Sequence, residues 1–150
     1  MRHRYRYSAL LCSAVALVAI PLAASPAAAA EASSSCGVTH PVLGPIVITG
    51  EALGGWNWAS ANALTSVHLE AKDTKADGAH PAVRLVTQRR GEDIHYWSWH
   101  HNTKGSDTTD SWDTSASDTA GITTAWIQGG LFDGSTRLSL CTGAKKVNPD

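Results

Sequence analysis

The chain has 150 residues, 43% of them hydrophobic and 17% charged, with a formal net charge of −1. That length suits one ordinary domain and is short for two. The near-neutral balance excludes a nucleic-acid binder that works by neutralising phosphates.

The chain opens with a segment unlike the rest. Arg2, Arg4 and Arg6 precede an apolar run over residues 10–20, and Ala28, Ala29 and Ala30 follow as an A-x-A cleavage site before Glu31, with cleavage near Ala24 as the alternative. The run is too short to span a bilayer, which takes about 20 residues. Residues 1–30 therefore read as a Sec signal peptide, with neither a twin-arginine pattern nor a lipobox around Cys12. The expected product is secreted, with no membrane attachment after cleavage, and residues 31–150 form its single domain. Nine Lys and Arg then face thirteen acids, so the exported part carries −4. Leu, Ile, Val and Phe make up 21 of its 120 residues, below the share of about 20% that otherwise warns of disorder. All six Trp lie in this part, and each buries roughly 150–250 Å². A small core weighted toward Trp is expected.

Cys36 and Cys141 remain after the signal, and in an exported chain they allow one intramolecular pairing. The disulfide would close a loop of about 105 residues, for which the chain-entropy model gives roughly 4–5 kcal/mol.

The periodicity is that of strands. Residues 45–49 and 56–60 read as short strands, and residues 59–64 as either strand or a short helical turn. Residues 66–72 alternate polar and apolar with period two. Residues 73–81 are rich in turn formers, 82–88 read as a strand, and 89–93 as the next turn. Residues 94–101, IHYWSWHH, predict one continuous strand, ended by 102–105. Residues 102–120 hold nine Ser or Thr, four Asp and one large apolar group, Trp112. They predict a long polar excursion, with an edge strand at 111–115. Residues 122–128 and 136–141 complete the set. The fold class is all-β: a small antiparallel β-sandwich, or partly open barrel, of about seven strands closed by one disulfide.

Three constellations bear on chemistry. Asp73 and Asp77, with Gly78, match the opening of a calcium loop. Lys75 and Arg84 stand where two further ligands belong, so an Asp-rich hairpin with Gly78 at positive φ is the better reading. On the predicted strand 94–101, alternation puts His95, Trp97, Trp99 and His101 on one face and Ile94, Tyr96, Ser98 and His100 on the other. His95 and His101 would then lie roughly 20 Å apart, too far to share one ion. A zinc site would need His68 or His80 from elsewhere.

Trp97 and Trp99 carry the sharper functional reading. Two indoles on one face, beside His95, His101 and Asn102, resemble a stacking platform for a sugar ring. The alternative is that this face, and that of Trp56 and Trp58, belongs to the core. Catalysis finds little support. G-x-S-x-G and H-E-x-x-H are absent, nothing fixes the distance between Glu70 and the loop aspartates, and no cofactor motif is present. Arg89-Arg90 is too short for a basic patch.

Residues 72–78, then Val83-Arg84-Leu85, Tyr96-Trp97, Asn102, Gly105, Gly121-Ile122 and Cys141 resemble small secreted β-proteins of actinomycetes of the Streptomyces type. The resemblance covers residues 65–141. It implies export and a β-fold and carries over no catalytic residue, because that group has no assigned activity. The leading expectation is a monomeric, non-catalytic binding module for extracellular or cell-wall glycan. The alternatives are an inhibitor of a secreted hydrolase, inserting a loop such as 73–81 or 102–120, and a small metal-dependent enzyme.

Overall fold

The computed structural model describes residues 30–41, 47–91 and 93–150. The signal-peptide reading therefore lies outside the described residues, apart from Ala30. The molecule is an antiparallel β-sandwich. One sheet has the order β1 (Ala30–Thr39), β2 (Ile48–Ser60), β3 (Ala63–Asp73) and β7 (Thr109–Ser117). The other is built on β4 (His80–Arg89) and β8 (Ile122–Asp133). Short β5 (Ile94–Tyr96) and β6 (His100–His101) share the free edge of β4, while β9 (Thr136–Thr142) and β10 (Lys146–Val147) share that of β8.

Alternation sets which side chains face inward. From the first sheet come Ala52, Trp56, Trp58, Leu64, Val67, Leu69 and Ala71, and from the second Val83, Leu85, Ala125 and Ile127. These residues form one buried cluster. Trp56 and Trp58 are only 2% and 4% exposed and meet edge to face, with centroids 6.3 Å apart. Their choice between core and platform is thus settled as core. The scarcity of aliphatic side chains is offset by indole area. The sheets also approach closely: a Cβ on Gly54 would lie 2.4 Å from Ile127 Cγ2, so only glycine fits there. The Cys36–Cys141 disulfide joins β1 to β9 and so ties the edge of one sheet to the edge of the other.

Several sequence expectations change. The two strands predicted at 45–49 and 56–60 are parts of a single β2 from Ile48, with residues 45 and 46 outside the described residues. Gly50, Gly54 and Gly55 look like breaks in the sequence but lie inside that strand. β1 was not predicted at all: its Ser-rich stretch turns Ser34, Cys36 and Val38 inward, opposite Gly54, Ala52 and Gly50. Residues 59–64 form a tight hairpin turn, not a helical one, because Ser60 pairs directly with Ala63. The polar excursion 102–120 holds a nine-residue strand, longer than the edge strand predicted at 111–115. β7 spans Thr109–Ser117 and pairs with β3, its exposed face carrying the Ser, Thr and Asp side chains. That shortens the loop available to the hydrolase-inhibitor reading to residues 102–108.

The largest change concerns residues 94–101. Tyr96 pairs with Val86, and His100 with Val83. Between those pairs β4 has two residues, Arg84 and Leu85, while the opposite strand has three, Trp97, Ser98 and Trp99. The extra residue makes a β-bulge, which breaks the predicted strand in two and reverses its alternation.

Candidate functional site

The bulge sends the two indoles of the W-x-W pair to opposite sides of the second sheet. Trp97 follows Leu85 inward and packs against the core cluster. Its Nε1 donates to Thr87 Oγ1 at 3.2 Å, and His95 meets its ring edge on, with centroids 4.8 Å apart. His100 also lies inward, its ring 5.1 Å from that of Trp112. Trp99 and His101 turn outward. The single platform of His95, Trp97, Trp99 and His101 is therefore corrected: His95 and Trp97 belong to the inner side, Trp99 and His101 to the outer.

Asn102 leaves the predicted platform as well. It is fully buried, and its Nδ2 donates to the carbonyls of Ala71 and Thr108 at 3.0 Å each. Its Oδ1 accepts from Lys104 N at 3.0 Å. The side chain bridges the two sheets and has no face to offer a ligand.

The outer side is organised around Arg84. Because Val83 and Leu85 point inward, Arg84 must point out. Its guanidinium lies between two aromatic rings, 4.3 Å from the centroid of Tyr96 and 4.4 Å from that of Trp99. Gln128, directly across on β8, accepts from Nε at 3.0 Å and Nη2 at 2.7 Å. The stack continues through Phe132, which meets Trp99 edge on at 5.3 Å and His101 at 4.7 Å. His80 closes the row, its Nε2 3.1 Å from His101 Nδ1. One of these two nitrogens must lack a proton for that contact to be a hydrogen bond. Burial, aided by the neighbouring His80 and His100, pushes the His101 pKa below that of a free imidazole. A shallow groove of about 530 Å³ runs beside Trp99, His101 and Phe132. Tyr96 is 49% exposed and Leu140, on the same side of β9, is 45% exposed.

The outer face of the first sheet has a different character. His68 lies between two carboxylates, with Nδ1 2.6 Å from Asp113 and Nε2 2.9 Å from Glu70. Those hydrogen bonds, Asp113 first, hold its pKa above the ordinary imidazole value. Both ring nitrogens are engaged, so none is left to activate a hydroxyl. Opposite edges of one ring also keep the three groups from converging on one ion. Glu70 thus pairs with His68 rather than with the loop aspartates.

In the 73–81 turn, Asp73 Oδ1 accepts from Lys75 N and Asp77 Oδ1 from Ala79 N, each at 3.0 Å. Gly78 has φ +81°. These are Asx turns that shape a hairpin, and burial raises the Asp73 pKa. Among the described residues, no group of three or more His, Cys, Asp or Glu side chains is placed to hold a metal ion.

Sequence reasoning missed Arg84, Tyr96, Gln128 and Phe132. Alternation over 82–88 already turns Arg84 away from Val83 and Leu85, and that signal was available. Its aromatic flanks required the cross-strand register and the bulge. Compared with protein-family models, curated proteins and solved structures, the chain matches none.

Proposed function

We propose that this protein is an exported, non-catalytic sugar-binding module whose ligand docks on the outer face of the second sheet. The observation that carries the reading is the Tyr96–Arg84–Trp99 stack. It offers a half-exposed aromatic face for the CH side of a sugar ring, with fixed N–H donors beside it. The stack stands on paired strands rather than on a loop, so little side-chain freedom is lost on binding. Export is supported by the pattern of residues 1–30 and by the disulfide. In addition, no helix among the described residues is long and apolar enough to cross a membrane.

The test is affinity electrophoresis of the exported domain through gels holding soluble glucan, chitin oligomers, pectin or peptidoglycan fragments. Retardation by at least one polymer is expected. Tyr96→Ala and Trp99→Ala should abolish it while the thermal melt stays cooperative. Unretarded migration through every polymer, or retardation that survives both substitutions, removes the reading.

A further inference from the structure

We propose that the sugar bound by this face carries a carboxylate, which Arg84 receives. The inference rests on the sugar-binding reading above and specifies its ligand class.

Arg84 is a cation half withdrawn from water, with two aromatic rings against its guanidinium and a neutral amide as its hydrogen-bond acceptor. Among the described residues, no carboxylate pairs with it. Removing a cation from water without a counter-charge is costly, and a charge-assisted partner restores the loss. Gln128 engages Nε and Nη2 only, which leaves the Nη1 donors for a further acceptor. A planar carboxylate matches the guanidinium fork.

The surroundings agree in sign. Arg137 pairs across the strands with Phe132, which puts it on the same face, and Lys145 Nζ lies 4.5 Å from the Trp126 ring centroid. Among the described residues, Arg84, Arg137 and Lys145 form no salt bridge. Five of the acids of this domain are engaged elsewhere. Asp118 is bound by Arg89, and Asp110 by Lys104. Glu51, Glu70 and Asp113 are spent on Lys72 and His68 across the first sheet. A domain of net charge −4 thus keeps Arg84, Arg137 and Lys145 beside the aromatic side chains of this face, of which Tyr96 is exposed and Phe132 and Trp126 are buried. A neutral sugar would leave that charge unanswered, whereas an acidic one complements it.

The experiment compares trigalacturonate with its fully methyl-esterified form, which keeps the sugar rings and removes the charge. Isothermal titration of the exported domain should give a Kd for the acid at least about tenfold lower than for the ester. The gap should shrink in high salt. Arg84→Gln should bring the acid down to the ester's affinity. Arg137→Ala, at an exposed position, should weaken acid binding by about two- to threefold without affecting the fold.

Equal affinity for acid and ester overturns the carboxylate assignment but leaves sugar binding standing, as does binding of neutral glucan or chitin oligomers alone. If no sugar binds, both readings fall. Inorganic phosphate competing as well as monomeric galacturonate, or an Asp-rich peptide binding more tightly than the trimer, also overturns the assignment. Full preference for the acid in Arg84→Gln does the same.

Discussion

Trp97 and Trp99 are two residues apart, share neighbours in sequence, and do different work on the two sides of one sheet. On the inner side, Trp97 covers the cluster around Leu85 and Ile127, and its indole N–H is satisfied by Thr87. On the outer side, Trp99 flanks a guanidinium and borders an open groove. A side chain committed to the core is worth stability, and one on a half-exposed ladder is, on the proposed reading, worth recognition. Placement beside Leu85 or beside Arg84 on β4 decides which indole lies on which side. Faces therefore cannot be assigned from spacing alone where a bulge intervenes.

The comparison predicts that inner-side changes act on folding and outer-side changes on binding. The largest effect is expected at Ile127, fully buried between the sheets. Ile127→Ala should cost about 2–5 kcal/mol in urea unfolding. Gly54→Ala comes next. The new Cβ collides with Ile127, and overpacking of this kind costs about 1–3 kcal/mol. Trp99→Ala should cost about 1 kcal/mol or less in stability, since one side of its ring faces the groove, yet it should abolish retention on the glycan. Loss of both stability and binding to the same degree in Trp99→Ala would break the comparison.

Deleting exposed Ser98 would sharpen it. The deletion sets Trp97 and Trp99 against Leu85 and Arg84 with no residue to spare, so both indoles keep their faces. A cooperative melt with retained binding is expected, and a melt depressed as far as that of Ile127→Ala would show that the bulge itself is required.

The smallest effects are in pH dependence, where the two outer faces should respond in opposite directions. The His68 pKa is raised in the folded state by Asp113 and Glu70. Its contribution is therefore complete below the unfolded value of about 6.5 and is lost as pH rises through the folded value. His101 has a lowered folded pKa because of its burial. Its neutral form is favoured, so stability is kept above about pH 6.5 and declines as pH falls toward the folded value. Thermal melts from pH 5 to 8 should show His68→Gln flattening the loss at high pH and His101→Gln the loss at low pH.

Much of the fold was legible because alternation is local. Residues 66–72 carry period two, 82–88 and 122–128 are short β-prone runs between turn formers, and each lies within a long strand of the core. Cys36 and Cys141 were legible as a pair by elimination. The rest depended on partners distant in sequence. β1 carries Ser where a strand usually carries β-branched residues, and only pairing with β2 makes it a strand. Gly54 resembles a turn residue and is instead a spacer between sheets. Asn102, polar and next to His101, looked like a ligand group and is a fully buried bridge to Ala71 and Thr108. Of the predicted platform, Trp99 and His101 stand on the outer face, and the Arg84–Gln128 contact that organises that face joins residues 44 positions apart.

The central claim is that the outer face of the second sheet is the one that meets a ligand. Amide and indole NMR shifts followed during titration of the exported domain with trigalacturonate test it most directly. The account predicts saturable shifts at Arg84, Tyr96, Trp99, Gln128 and Phe132, with Trp97 and the His68 face unchanged. Shifts centred on His68, Glu70 and Asp113, or none at saturating sugar, would contradict it.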